Sequence, residues 1–391
     1  MEFPFEIVFW FCAALLAYIY IGYPVLVGIL ARLFPQPIGE SPDGEEPSVS
    51  IIISAYNEAP VIAAKIENSL ALEFPAEHLE VIVVSDCSDD GTDEIVRNCA
   101  GLGVRLVRQN QRLGKSAALN CAVPQARGSI LVFSDANALY QPDAISHLVR
   151  HFSNPKVGYV VGNARYYKKS IESASAESEG LYWKLETYLK KKESAFESVV
   201  GGDGAIYAIR KELFSPLLST DINDFMNPLQ IVDRGYRGLF EPAAISYEDT
   251  AESFEKEYRR KVRIVSRSFN ALRRVPGVLK PFRNPRHWFL LISHKLMRWL
   301  APFFLLIFLT ASLFLWRFPL YRAALLLQLV FYAGATAAWL IPATRSVWKP
   351  MSLAYYFCLV NMASLIGCIK CFRGKLSATW TPPRQSLQTK D

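Results

Sequence analysis

The chain has 391 residues and a net charge of +7, and 51% of its residues are hydrophobic. With a mean hydropathy of +0.15, this composition excludes an ordinary soluble enzyme over the whole length and calls for membrane spans. The seven cysteines (Cys12, Cys87, Cys99, Cys121, Cys358, Cys368 and Cys371) lack the spacing of a disulfide framework, which suits a reducing compartment for the central region.

Phe5 to Phe34 is apolar apart from Glu6 and Arg32 and is long enough to span the bilayer. It is too long for a cleaved signal peptide and lacks a basic start and a small-residue cleavage site. Residues 1–36 are therefore expected to form an N-terminal transmembrane helix, followed by a Pro-, Gly- and acid-rich linker over 37–47. The runs 48–54, 79–85, 104–108 and 129–134 read as buried parallel strands. Helical periodicity lies between them at 59–72, 93–100 and 116–125. The alternation predicts an α/β domain over 48–275 with a doubly wound sheet and ligands at the carboxyl ends of its strands.

From Lys256 to Arg298 there are thirteen Lys or Arg and one acid, Glu257. The block runs into apolar sequence, so an anionic membrane surface is favoured over nucleic acid as its partner. Arg286–Arg298 mixes apolar and basic residues at helical spacing, so 276–298 is expected to hold basic interfacial helices. Apolar segments near 299–317, 321–341 and 350–369 give a C-terminal membrane region over 299–370, with a tail at 371–391. Parity is awkward. One N-terminal and three C-terminal spans put the tail residues Lys370, Arg373 and Lys375 opposite the basic block, against the positive-inside tendency. Either one segment does not cross or the tendency fails. Cys368 and Cys371 form a CxxC without a second pair, and read as small apolar residues at a helix end.

Polar motifs follow the strands in order. Ser54-Ala55-Tyr56-Asn57-Glu58 follows the first and Ser85-Asp86-Cys87-Ser88-Asp89-Asp90-Gly91-Thr92 the second; Ser134-Asp135-Ala136-Asn137 ends the fourth. Asp135 and Asn137 can present hard oxygen donors to Mg²⁺ or Mn²⁺, although Asp135 could equally cap a turn. Lys115 follows Gly114 at a helix start, a natural neighbour for a diphosphate; no Walker motif is present. The Gly201-Gly202-Asp203-Gly204 turn permits close backbone approach. Asp224 is placed to take a proton from an acceptor hydroxyl or to cap a helix. Arg260 and Arg263 share a helix face and can hold a departing diphosphate, or form a solvated basic stripe.

Together these motifs resemble the family 2 glycosyltransferases, inverting enzymes with a GT-A fold, and within them the membrane synthases of cellulose, hyaluronan, chitin and poly-N-acetylglucosamine. The resemblance covers residues 48–275. It implies a uridine pocket lined by Ala55, Tyr56, Glu58 and Asp86, with Lys115 near the nucleotide. It implies metal binding at Asp135, the first position of a DxD motif. Gly202, Asp203 and Gly204 would face the acceptor, Asp224 would be the general base, and Arg260 and Arg263 would occupy the polar and Arg positions of a (Q/R)xxRW motif. Three positions depart from the pattern: Asn137 at the third DxD position, Asn223 before the base, and Ile264 in place of the Trp that cradles an acceptor sugar in processive relatives. Trp380-Thr381-Pro382-Pro383-Arg384 resembles a tail motif of some relatives and is given no chemistry.

The expectation is a GT-A domain flanked by N- and C-terminal transmembrane helices. It would invert a UDP-hexose or UDP-N-acetylhexosamine onto a hydroxyl acceptor with Mg²⁺ or Mn²⁺. The leading form makes an extracellular polysaccharide, with room for an export or accessory subunit; the alternative adds one sugar to a lipid or short acceptor. The catalytic domain is expected on the cytoplasmic face of a bacterial inner or plasma membrane. A rival of another class, an inactive GT-A membrane scaffold, predicts losses at Asp135, Asp224 or Arg263, and all three are present. A transporter is disfavoured because no ionisable residue lies deep in the C-terminal segments.

Overall fold

A computed structural model of the chain describes residues 3–37, 46–166, 174–248, 254–341 and 348–376. Most of the linker, the loop carrying Arg345 and the Trp380–Arg384 motif lie outside the described residues. In chain order, α1 (Phe3–Leu33) precedes β1 (Val49–Ala55), α2 (Ala59–Leu70), β2 (Leu79–Ser85), α3 (Thr92–Asn98), β3 (Val104–Arg108), α4 (Lys115–Ala122) and β4 (Ile130–Asp135). These strands are runs of β-branched and aliphatic residues because helices cover both faces. Ile51, Ile52 and Ile53 of β1 are fully buried, each contributing about 1.5–3 kcal/mol.

The second half of the sheet holds β5 (Leu139–Tyr140), α5 (Ala144–Val149), β6 (Val157–Tyr166), α6 (Ala174–Phe196), β7 (Tyr207–Arg210), α7 (Asn223–Asp233) and β8 (Arg237–Glu248). The eight strands run in the order β3-β2-β1-β4-β7-β6-β8-β5. The first four are mutually parallel; β7 is antiparallel to β4 and β6, and β5 to β8. The sheet is therefore mixed: the four strands read from the sequence are parallel, and the antiparallel pairs all involve strands of its second half. Its direction changes beside β4, which places the end of that strand at a crevice.

The remaining helices are α8 (Phe254–Arg274), α9 (Pro285–Phe314), α10 (Pro319–Leu340) and α11 (Lys349–Phe372). α1, α9, α10 and α11 are each long and apolar enough to cross a membrane. α1 and α9 pack antiparallel: Phe5 stacks on Phe314, Phe9 meets Phe308, and Leu16 and Ile19 pack with Ala301. One expectation is corrected here. Arg286–Arg298 is not a separate interfacial helix but the first half of α9, continuous with the span. Three of its basic residues are paired within the protein: His294, Lys295 and Arg298 all meet the buried Glu186 of α6, and His294 also meets Glu193 at 2.6 Å. Tyr23 of α1 donates to Glu193 at 2.5 Å. The sheet domain and the membrane helices are thus joined through α6.

Candidate active site

The loops after β1 and β2 are laced together. Asn57 and Asp89 exchange two hydrogen bonds, at 2.6 and 3.0 Å, while the Glu58 and Ala59 amides donate to Thr92 and Asp90. Asn57 and Cys87 have φ of 53° and 62°, a strained setting for non-glycine residues that the lacing holds in place. Much of the 85–92 motif therefore builds the loop. Asp86 is buried and accepts from Gln109 at 2.7 Å and from the Leu113 and Gly114 amides. Burial pushes its carboxyl pKa up despite those donors. It fixes the turn that opens α4. The Arg112 guanidinium lies 3.8 Å over the Tyr56 ring, a cation–aromatic contact between the loop after β1 and the turn that opens α4.

From that turn Lys115 reaches β4 and pairs with Asp135 Oδ1 at 2.5 Å. The other carboxylate oxygen points across the crevice. A methyl group placed on Gly204 would lie 3.3 Å from Asp135 Oδ2, 3.4 Å from Asp224 Oδ2 and 3.8 Å from Lys115 Nζ. Three groups that are distant in sequence thus converge on one point, left open because residue 204 has no side chain. Gly202 approaches equally closely: its amide donates to the Asp224 carbonyl at 2.5 Å. The neighbouring Asp203 is held by Lys190 at 2.9 Å.

Asp224 lies in the first turn of α7, and its Oδ1 is buried without a hydrogen-bond partner among the described residues. Burial raises its pKa above the usual carboxylate value; Asp203 and Asp135 push the same way, against Lys115 and Arg263. Beneath it, Asn223 donates to the Tyr207 hydroxyl at 2.8 Å, and Asn227 donates to the same oxygen at 3.0 Å. The neutral Asn223 thus serves as a strut, where a carboxylate would add another buried charge. On α8, Arg260 pairs with the buried Glu257 at 2.7 Å. Burial and the neighbouring Arg267 and Arg260 lower the Arg263 pKa to about 10, while Asp224 and Asp135 attract it.

Comparison with known proteins gives this arrangement a family. Residues 50–218 match the family model for glycosyl transferase family 2. Residues 50–218 are a family 2 glycosyltransferase domain. The chain is 34% identical over 144 residues to a beta-monoglucosyldiacylglycerol synthase of Trichormus variabilis, covering 36% of this chain and 30% of that protein. It is 25% identical over 260 residues to a poly-beta-1,6-N-acetyl-D-glucosamine synthase of Staphylococcus aureus, covering 62% of each. The chain thus spans less than two thirds of either curated relative. A mannosyltransferase from Pyrobaculum calidifontis, solved with GDP-Man and Mn²⁺, superposes with a TM-score of 0.70 at 25% identity, over 94% of this chain and 99% of that one. The fold is GT-A.

Within the glycosyltransferase domain, no three His, Cys, Asp or Glu side chains among the described residues are grouped to cage a metal alone. Asp135 supplies one carboxylate, and Asn137 lies half-buried on the same turn. That open donor set fits Mg²⁺ or Mn²⁺, which commonly take one or two protein carboxylates and complete their shell with substrate phosphates and water.

Two charged residues at this site escaped the sequence reading. Lys65 of α2 is fully buried, donates to the Ala138 carbonyl at 2.6 Å and sits 3.5 Å over the Tyr140 ring. It braces the turn after Asp135, and burial lowers its pKa to about 7. Its signal was a lysine on the apolar stripe of α2, beside Ile62, Ile66 and Ser69. Glu248 ends β8, one residue after Tyr247, which is in register with Leu139 of β5. Burial, then Asp135 and Asp203, raise its pKa, while Arg260 and Lys115 oppose. Nothing in a strand-end glutamate marks it in sequence.

Proposed function

We propose that the protein transfers a sugar, with inversion at the anomeric carbon, from a nucleoside-diphosphate donor to a hydroxyl of an acceptor held at the membrane surface. The observation that carries this reading is the convergence of Asp135, Asp224 and Lys115 over Gly204. Asp224 takes the acceptor proton as the hydroxyl oxygen bonds to the anomeric carbon. The bond from that carbon to the diphosphate oxygen breaks on the opposite face, and the nucleoside diphosphate leaves. Lys115, Arg260 and Arg263 oppose the charge that builds on the departing phosphate. A divalent ion held by Asp135 and Asn137, when bound, adds Lewis-acid stabilisation of the same charge. Tyr56 and Arg112 offer a flat surface for the nucleotide base.

Two observations favour a lipid or short acceptor over a secreted polymer. Asp224 adjoins Phe225, whose ring packs edge-on against Trp299 of the membrane helix α9 with centroids 5.7 Å apart. The proposed base is therefore set at the membrane surface. The interface of α1, α9 and α10 is filled by the rings of Phe5, Phe314, Phe9, Phe308 and Tyr321. A sugar chain passing there would meet apolar walls. Ile264, where processive relatives carry Trp, agrees.

The test is release of nucleoside diphosphate by the purified full chain. UDP- and GDP-sugars are offered with Mn²⁺ or Mg²⁺, with and without membrane lipid, followed by product sizing. A single lipid-linked adduct supports the proposal. A ladder of products would return the reading to polymer synthesis, and no release with any donor, metal and lipid would refute transfer.

A further inference from the structure

We infer that α11, although long and apolar enough to span, does not cross the bilayer. It lies along the surface on the side of the catalytic domain, so the described residues cross three times and the carboxyl end of α11 stays on the side of that domain. This inference is independent of the reaction proposed above.

The first argument is companionship. α11 runs side by side with α8 and in the same direction. Phe254 meets Tyr355 with centroids 4.9 Å apart, and Phe269 meets Phe372 at 5.3 Å. Between them Gly367 is so close to α8 that a methyl group there would fall 2.8 Å from Val265 Cβ and 3.1 Å from the Val262 carbonyl. The contact spans fifteen residues of α8, about 22 Å at 1.5 Å per residue. Were α11 to cross a hydrocarbon core of about 30 Å, it would carry most of α8 in with it. α8 holds Arg259, Arg260, Lys261, Arg263 and Arg267 within that stretch. A lone charge costs about 2.5–3.5 kcal/mol or more at the centre of a bilayer, and pairs such as Arg259–Glu255 and Arg260–Glu257 carry a desolvation cost of their own. α8 belongs to the domain surface, and its companion must lie beside it.

The second argument is depth. Leu16 and Ile19 pack with Ala301, so Tyr20 and Trp299 stand at about the same level of the antiparallel pair α1 and α9. α11 touches both. The Tyr20 hydroxyl donates to Asn361 Oδ1 at 3.0 Å, the Tyr20 ring meets Phe357, and Cys368 lies 3.7 Å from the Trp299 carbonyl. From residue 357 to 368 a helix advances about 16 Å, yet the level on α1 and α9 barely changes. α11 therefore runs across the pair, not along it.

Burial and charge agree. Half of the most apolar window of α11 is buried within the protein, against 17–28% for α1, α9 and α10. This is expected for a helix wedged between a domain and the bilayer. The exposed residues of α11 include the apolar Leu353, Met362 and Phe372, which suit the boundary between headgroups and acyl chains. Three crossings put Lys370, Arg373 and Lys375 on the same side as the basic block of α8, which removes the parity conflict in the sequence.

The experiment labels full-length protein in sealed vesicles with a membrane-impermeant maleimide and reads modified peptides by mass spectrometry. Exposed Cys121 reports the catalytic side. The variants are Trp348→Cys before α11, Arg373→Cys after it, and Arg317→Cys between α9 and α10, all at exposed positions. Trp348→Cys and Arg373→Cys are expected to label with Cys121, and Arg317→Cys only from the other face. Labelling of the two sites flanking α11 from opposite faces would overturn the inference. Should a variant fail to fold, an epitope after Asp391 on the otherwise unaltered chain gives a second reading. Access to it together with Cys121 supports the surface placement, and protection from that side refutes it.

Discussion

Replacing Asp224 by Asn separates catalysis from stability more cleanly than any other single change at the site. The side chain keeps its shape and loses its charge. Removal of a general base costs about 10²–10⁴-fold in rate, or roughly 3–5 kcal/mol at 1.36 kcal/mol per tenfold. The folded protein responds in the opposite direction. The carboxylate is penalised first by burial and then by Asp203 and Asp135; Lys115 and Arg263 offset only part of this, so its pKa in the fold stays above the ordinary 3.8. A carboxyl whose folded pKa is raised loses folding stability as pH rises from its unfolded value through its folded one. The loss is in force wherever the pH lies above the folded value. Asp224→Asn removes this penalty. The expected result is a turnover number lower by at least about 10²-fold, donor affinity within a few-fold of the parent, and a melting temperature equal or higher. Nucleoside diphosphate release, donor titration calorimetry and a thermal melt at pH 7 measure the three. Unchanged turnover would refute the assignment of Asp224 as base. A clear fall in melting temperature would show that the carboxylate anchors the fold, and would refute the electrostatic reasoning.

Other outcomes follow from the same geometry. Arg263→Lys keeps the charge but loses the planar fork; turnover should fall by about 10²-fold with little change in donor KM, measured by steady-state kinetics. Gly367→Leu puts side-chain bulk where even a methyl group comes within 2.8 Å of Val265, and should displace α8, lowering turnover while the domain still melts as a unit. Glu241 accepts from His151 at 2.7 Å, from Arg150 at 2.5 Å and from the Ala243 amide at 2.8 Å. Burial pushes its pKa up, but these partners prevail and hold it at about 2 against an ordinary 4.5. Its contribution is therefore complete above about pH 4.5 and is lost as pH falls toward 2. Glu241→Gln should melt lower than the parent at pH 7, with the gap closing below about pH 3, as read from melts across pH.

The central strands were legible because a strand buried on both faces is a near-continuous apolar run with no alternation. β1 is VSIIISA and β2 is LEVIVVS, and neither run can be placed at a half-solvated edge. The site was legible for a related reason. An α/β sheet presents its strand ends at one crevice, so Asp86 and Asp135 stand there without any knowledge of distance. Lys65 and Glu248 were hidden because their importance lies in what surrounds them. A buried lysine on α2 has meaning only once the Ala138 carbonyl and the Tyr140 ring stand over it. The pairing that brings β5 to β8, and Glu248 with it, joins residues more than a hundred positions apart, beyond the reach of local pattern.

The membrane helices show the same limit from the other side. Hydropathy reports whether a segment can tolerate hydrocarbon, and α11 passes that test as readily as α10. It does not report what the segment must take with it. The small residue at 367 lets α11 close on α8, and the charges of α8 keep that helix out of hydrocarbon, so the orientation of a mostly apolar helix is decided by charges on its neighbour. Arg286–Arg298 was misread by the same omission. His294, Lys295 and Arg298 read as headgroup ligands until Glu186, a residue of another helix, supplied their counter-charge inside the protein. In both cases the sequence feature is local and its meaning is pairwise. A positive-inside count becomes informative only after the ion pairs internal to the protein have been subtracted from it.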